Sequence, residues 1–356
     1  MFFQSESCHD RAGGRYGGQD MPRGKSFQGV MPMNDAQDGT VRPARAEMGD
    51  NLVLPFTVDA LDVRGRVVRM GESVNEAIVR HALPEPLARL LGEIMALAAL
   101  IGSSLKFEGK LIVQAETDGP VRLLVADFST PRFVRGLVRY DKARVDEVLA
   151  QGGDERALLG EGRMVFTIDQ GAHMQRYQGM VALTGTLAEA AETYFSQSEQ
   201  IPTRVKLAAG TVQNDGGPQW RAGAIMIQHM PPASGESSEE DAAAKREQNA
   251  ENWRRAEALF DTVEAHELLD PSLSPERLLY RLFHEDGVRV FEPQPLEWRC
   301  GCSRELLHGL ISRFSPEERA EMVEDGRISA RCEFCGEEYV FSPEEFEGGD
   351  EGGEKA

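Results

Sequence analysis

The sequence has no long apolar run, no excess of basic side chains and few cysteines, and each absence excludes something. The longest apolar run, Ile94 to Ile101 inside Leu90 to Gly102, falls far short of the roughly 18 to 20 residues that cross a bilayer, so no transmembrane helix is expected. Met1 to Asp10 shows no basic segment followed by an apolar one, which argues against export, and the sequence reads as cytoplasmic. With 59 acidic against 39 basic side chains the formal net charge is −20, opposite in sign to what a duplex-binding surface needs, so nucleic acid is not an expected partner. Hydrolase elbow, dinucleotide fingerprint and paired-carboxylate site are all missing, and no enzyme is expected. Gly24-Lys25-Ser26 resembles the end of a phosphate-binding loop, but Gly18 stands one residue too far upstream and no apolar strand precedes it, so no nucleotide is expected either. His173, a single histidine after Gly171, has no nucleophile that the sequence places beside it.

What is present divides unevenly along the 356 residues. Met1 to Gly235 carries a net charge of −3 and Glu236 to Ala356 a net charge of −17. Residues 1–50 are rich in Gly, Ser, Asp and Arg without a sustained helix or strand period, which reads as a disordered extension. From Asn51 the pattern is globular. Leu87, Leu90, Leu91, Ile94, Leu97, Ile101 and Leu105 recur at three- and four-residue steps and predict a helix from near Pro86 with one apolar stripe. Leu111 to Thr117 and Val121 to Phe128 flank the turn cluster Asp118-Gly119-Pro120 and predict a hairpin. Further strands are expected at Phe133 to Tyr140, Met164 to Asp169, Tyr177 to Leu183, Arg204 to Val212 and Arg221 to Gln228, with a helix at Leu187 to Ser198. Strands and helices mixed without strict alternation predict an α+β domain over residues 51–230.

Pro231-Pro232-Ala233-Ser234-Gly235 marks a boundary, and Glu236 to Asn252 is polar and acidic, reading as a linker or exposed insertion. Trp253, Ala256, Phe260 and Val263 then share a helical face, and Ser274-Pro275-Glu276 starts a second helix carrying Leu278, Leu279, Leu282 and Phe283. Residues 231–294 are thus an acidic, partly helical linker whose apolar faces should pack on the N-terminal domain. Its acidic run is expected to favour unfolding, so that neutralising Glu236, Glu239, Glu240 and Asp241 would raise the temperature at which the linker melts. Residues 295–346 form a unit too small for a self-sufficient hydrophobic core, and residues 347–356 a disordered acidic tail.

Four of the five cysteines fall in that small unit. Cys300-x-Cys302, then 29 residues, then Cys332-x-x-Cys335 is a spacing in which each pair supplies two thiolates from one turn and a metal joins the turns, so a four-cysteine zinc site is predicted. An odd count argues against a disulfide framework, and Cys8 stands outside the cluster as an incidental thiol. Arg299, Arg304 and Arg331 lie within two residues of a ligand and either lower thiol pKa values or simply solvate an acidic region. His308, six residues past Cys302, reads as a surface helix position rather than a substitute ligand. Spacing alone leaves two roles open: a structural zinc in a binding module, including a nucleic-acid-binding regulator, or a redox sensor whose oxidation expels the metal. A thiol-disulfide oxidoreductase using the C-x-C pair is a third reading.

Four stretches resemble one family. Gly171-Ala172-His173-Met174 with Arg176-Tyr177-Gln178-Gly179, Tyr194 to Thr203, Cys300-Gly301-Cys302-Ser303-Arg304-Glu305, and Cys332-Glu333-Phe334-Cys335 are similar, in that order, to the 33 kDa chaperonin family, the redox-regulated heat-shock holdases of bacteria. The resemblance covers about Asn51 to Phe346 and leaves residues 1–50 without a counterpart. It implies an ATP-independent chaperone, inactive while reduced and zinc-bound through Cys300, Cys302, Cys332 and Cys335. It further implies that oxidation pairs Cys300 with Cys302 and Cys332 with Cys335. The zinc unit and linker would then unfold, uncover a surface for unfolded client proteins, and promote homodimers.

Overall fold

The computed structural model describes residues 25–26, 50–104, 108–171, 176–214, 216–230 and 239–346; Cys8, His173 and Pro231 to Gly235 lie outside them. In chain order the first part comprises β1 (Lys25–Ser26), β2 (Leu52–Val58), β3 (Val63–Met70), α1 (Glu72–His81), α2 (Glu85–Gly102), β4 (Lys110–Thr117), β5 (Val121–Ser129) and β6 (Phe133–Tyr140). It continues with α3 (Lys142–Ala150), α4 (Glu155–Leu159), β7 (Gly162–Asp169), β8 (Tyr177–Leu183), α5 (Leu187–Gln197), β9 (Thr203–Asn214) and β10 (Gly217–His229). Two sheets result. The first runs β1-β11-β2-β3-β10-β9 and the second β13-β6-β5-β4-β7-β8, where β11 (Arg289–Val290) and β13 (Glu297–Trp298) come from much later in the chain.

Helix α2 lies between the two sheets. The sequence suggested one apolar stripe, whereas 14 of its 18 residues are buried, because sheets cover both sides and Ala88, Ala96, Ala98 and Ala99 fill the face between the leucines. Its approach to β6 requires Gly136, where a Cβ would sit 2.8 Å from Leu91 and 2.9 Å from Met95. The predicted hairpin pairs β4 with β5 over Lys110–Ser129, and β4 also pairs with β7. Burying this core at about 25 cal/mol per Å² of apolar surface makes it the dominant source of stability in the molecule.

Three helices follow on the far face of the first sheet: α6 (Glu239–Asp261), α7 (Ala265–Leu269) and α8 (Pro275–Phe283). Ala256, Phe260, Val263, Leu278, Leu279, Leu282 and Phe283 are buried with Leu54, Phe56, Val67, Ile225 and Ile227 of the sheet, so the apolar faces read from the sequence do pack on the N-terminal domain. From Glu239 the polar stretch before Trp253 is helical. Asn249 and Asn252 donate to the Asp62 carboxylate at 2.9 and 3.0 Å, and Lys206 caps the helix end by donating to the carbonyls of Asp261 and Val263 at 2.7 and 2.6 Å. Sequence showed no strand in residues 1–50, yet Lys25–Ser26 pair with β11, whose outer edge offers unpaired backbone groups.

After α8 the chain is stitched to both sheets. Strands β11 and β12 (Gln294–Pro295) pair with β2, and β13 runs parallel to β6. The remainder contains α9 (Arg304–Ile311), α10 (Pro316–Glu321) and a three-stranded sheet of β14 (Val323–Glu324), β15 (Arg327–Arg331) and β16 (Glu338–Phe341). The protein is thus α+β with a helical segment and a small C-terminal cysteine unit.

Candidate metal and redox centre

The first cysteine pair sits in the turn before α9, whose start is fixed by Ser303 accepting from the Leu306 amide at 3.1 Å. The second occupies the turn between β15 and β16. There the Gly336 amide donates to the Cys332 carbonyl at 2.8 Å, the Cys332 amide to the Glu337 carbonyl at 2.8 Å, and Gly336 takes φ +72°, a conformation open to glycine. These two turns bring together the four thiols that spacing singled out. Their Sγ atoms all lie within 4.8 Å of one another, with Cys300 to Cys332 at 3.6 Å and Cys302 to Cys335 at 3.3 Å. All four cysteines are free. Tetrahedral Zn–S bonds of about 2.3 Å put sulfurs about 3.8 Å apart, so a donor set of this size fits zinc.

The thiols are not equivalent. Burial pushes Cys335 and Cys332 up. Burial acts on Cys300 in the same sense, but hydrogen bonds from the Cys302 amide and from the other three thiols outweigh it and leave Cys300 below the ordinary thiol range. One sulfur is thereby favoured as a thiolate with three donors around it.

The surrounding unit has a core of four clustered buried residues, Ile311, Ile328, Phe341 and Phe346. His308 stacks on Phe346 with ring centroids 4.6 Å apart and its Nε2 is 3.3 Å from the Glu345 carbonyl oxygen, so it packs the unit as a helix residue. The three arginines near the ligands are also engaged elsewhere. Arg304 forks onto Glu345 at 2.8 Å, Arg331 donates to the Gly336 carbonyl at 3.1 Å, and Arg299 lies over Phe133 at 4.8 Å. The guanidinium that does reach a sulfur is Arg135, on β6 and 165 residues away in sequence, with Nη1 3.9 Å from Cys300 Sγ.

Arg135 belongs to a docking surface that sequence reading missed. Its guanidinium holds the buried Asp127 carboxylate at 2.7 and 2.8 Å and lies over the Phe334 ring at 3.9 Å. The ring nitrogen of His81, at the end of α1, is 3.1 Å from the Phe334 carbonyl oxygen, and Arg139 grips Glu333. Burial holds the His81 pKa below its ordinary value. Glu333 and Phe334 are the two residues between Cys332 and Cys335, so the turn that carries two thiols also carries the dock. The one available signal was the placement of Arg135 and Arg139 on the same face of a strand.

The Tyr194 to Thr203 stretch, for which the sequence suggested a helix terminus that sets packing, meets the Arg176 to Gly179 stretch in space. Glu199 accepts from Tyr194 at 2.9 Å and Tyr177 at 3.3 Å, and a Cβ on Gly179 would fall 2.5 Å from the Tyr194 ring. Both stretches lock α5 to β8.

Fold and site together define a two-sheet α+β protein bearing a C-terminal four-cysteine centre able to hold a metal ion. The model of the Hsp33 protein family matches residues 51–342. The 33 kDa chaperonin of Caulobacter vibrioides is 47% identical over 299 residues, 83% of this chain and 95% of that protein. The 33 kDa chaperonin of Pseudomonas paraeruginosa is 40% identical over 289 residues, 80% and 90% of the two chains. Among solved structures, the 33 kDa chaperonin (heat shock protein 33 homolog) of Thermotoga maritima superposes with a TM-score of 0.68 at 26% identity, covering 84% of this chain and 97% of that one. The chain belongs to the Hsp33 family of heat-shock chaperones. Among the described residues, no helix is long and apolar enough to cross a membrane.

Proposed function

We propose that this protein is a redox-regulated, ATP-independent holdase of the cytoplasm that is inactive while its four cysteines are reduced and hold zinc. The observation that carries the reading is four gathered thiols in a unit with only four clustered core residues. Zinc, when bound by Cys300, Cys302, Cys332 and Cys335, joins the two turns and supplies most of the folding energy of residues 295–346, on the order of 10–16 kcal/mol. Each hydrogen peroxide takes two electrons from one pair of thiolates and, with two protons from solvent, leaves one S–S bond and two waters. Once all four sulfurs are in disulfides, no thiolate remains to hold a metal.

We assign the pairs as Cys300 with Cys302 and Cys332 with Cys335. The recorded sulfur contacts run the other way, from one turn to the other, and disulfides formed across the turns would staple the unit, stabilising it by about 3–4 kcal/mol through loop closure. Pairing within each turn leaves the unit free to unfold. Glu333 and Phe334 then lose their geometry, the contacts to Arg135, Arg139 and His81 go, and the linker, residues 231–294, loses its neighbour. Its helices α6 to α8 cover Leu54, Phe56, Val67, Ile225 and Ile227, which on release form an apolar face for unfolded clients and for a second oxidised copy.

Peroxide treatment at raised temperature should release one zinc per four thiols consumed and confer protection on a heat-denatured client without ATP. Zinc retention together with absence of protection would reject the reading. Peptide mapping of the oxidised protein should find the two disulfides within the turns.

A further inference from the structure

The face of the first sheet that carries the linker is mostly apolar, and cationic side chains reach the linker from it at two places: Arg204 and Lys206 of β9 at the end of α6, both half-buried, and Arg69 of β3 and Arg221 of β10 at the α7–α8 turn, both buried. Arg69 has no exposed surface. Its Nη2 donates to the Asp270 carbonyl at 2.9 Å and to the Leu273 carbonyl, and its Nη1 donates to the Leu268 carbonyl. Arg221 donates from Nε to the Leu269 carbonyl at 2.7 Å and from Nη2 to the Asp50 carboxylate. Gly223, opposite Arg69 across the β3–β10 ladder, brings the same segment against the sheet: a Cβ there would meet the Leu268 carbonyl oxygen at 2.4 Å. Residues 268 to 273 span the end of α7, the connecting turn and the residue before the Ser274 cap of α8. One side chain therefore grips the backbone on both sides of that turn.

We infer that Arg69 is a positioning residue that clamps the linker on the chaperone domain and makes the release of α7 and α8 a single event. A cation buried among neutral carbonyls is costly to keep from water unless its donors are satisfied, and the Arg69 Nε already has no partner among the described residues. Loss of one carbonyl weakens the reason to bury the rest, and opening returns the guanidinium to water. The clamp is thus firm when complete and gives way as a whole. Burial also lowers the Arg69 pKa, with Asp50 opposing. This inference rests on the redox-switch reading for its consequence, though its test does not.

Hydrogen exchange over residues 265–283 in the full, reduced, zinc-loaded chain reads the clamp directly, without oxidant or client. Arg69→Lys keeps the charge and loses the fork, and should speed exchange there at least tenfold while α2 and β9 remain unchanged. Arg69→Met fills similar volume without donors and should do the same, whereas a packing role predicts that it keeps full protection. Gly223→Ala pushes the segment off the sheet with Arg69 intact and decides the matter if the arginine variants do not fold. Unchanged exchange in Arg69→Lys and Gly223→Ala, or full protection in Arg69→Met, would overturn the clamp. A loosened linker without client protection after peroxide would uphold the clamp and sink the holdase reading; the reverse result would do the opposite.

Discussion

Helix α2 and the cysteine unit solve the same problem with different materials. Fourteen residues of one 18-residue helix are buried between two sheets, whereas the C-terminal unit clusters only four buried side chains and gathers four sulfurs instead. A hydrophobic core is spread over many small contributions and cannot be withdrawn by one chemical event. A metal held by the four sulfurs would concentrate the stabilisation in a donor set that an oxidant or a chelator can attack. The difference teaches where a chain can be made to unfold on demand without endangering the rest.

The largest test of this contrast is metal removal. Chelation under reducing conditions should unfold residues 295–346, a loss on the order of 10 kcal/mol, and leave exchange protection in α2 and β4 to β7 intact. Loss of protection in both regions would show that the two are one cooperative unit. Next, Leu97→Ala, at a position with no exposure, should destabilise the two-sheet domain by about 2–5 kcal/mol in thermal or urea unfolding while leaving the metal-binding capacity of the cysteine unit unchanged.

Acidity acts on the domain in a way the cysteine unit does not share. Glu93 of α2 is pushed by burial, with Glu155 adding, from an ordinary value of 4.5 to about 8. Its folded pKa lies above its unfolded one, so its contribution to stability is whole below about pH 4.5 and lost as the pH rises towards 8. The slope is about 1.4 kcal/mol per pH unit. Glu93→Gln should flatten the urea midpoint of the domain between pH 5 and 8; an unchanged pH dependence would remove Glu93 from the account.

The smallest effect concerns the acidic run of the linker. Glu239, Glu240 and Asp241 fall in the first turn of α6, where the helix dipole favours negative charge by about 0.3–1 kcal/mol each. Neutralising them is therefore expected to lower the melting temperature of the linker by a degree or two, the reverse of what charge density alone suggested. Circular dichroism of the oxidised variant as it is heated checks the sign.

The strands of β4 to β8 and helix α5 were legible because alternation and capping are local. Thr186, for example, accepts from the Glu189 amide, which a reading of neighbouring residues can anticipate. Residues 52 to 81 were not assigned in detail: β3 is buried on both faces and carries Arg64, Arg66 and Arg69 at positions where a strand pattern calls for apolar residues. Arg64 and Arg69 make sense only against partners 164 to 204 residues away.

The sequence by itself determined the four thiols, the meagre core around them, the apolar faces of the linker and the family, since each resides in spacing or composition over a few dozen residues. Only the tertiary structure decided what those parts touch. Arg135 beside Cys300, Phe334 on Arg135, and Arg69 on the carbonyls of Leu268, Asp270 and Leu273 join segments that no local period relates. The physical reason is that hydrogen bonds and ion pairs at a dock depend on positions in space, and backbone carbonyls, which every residue possesses, leave no mark in the sequence when they serve as the partner.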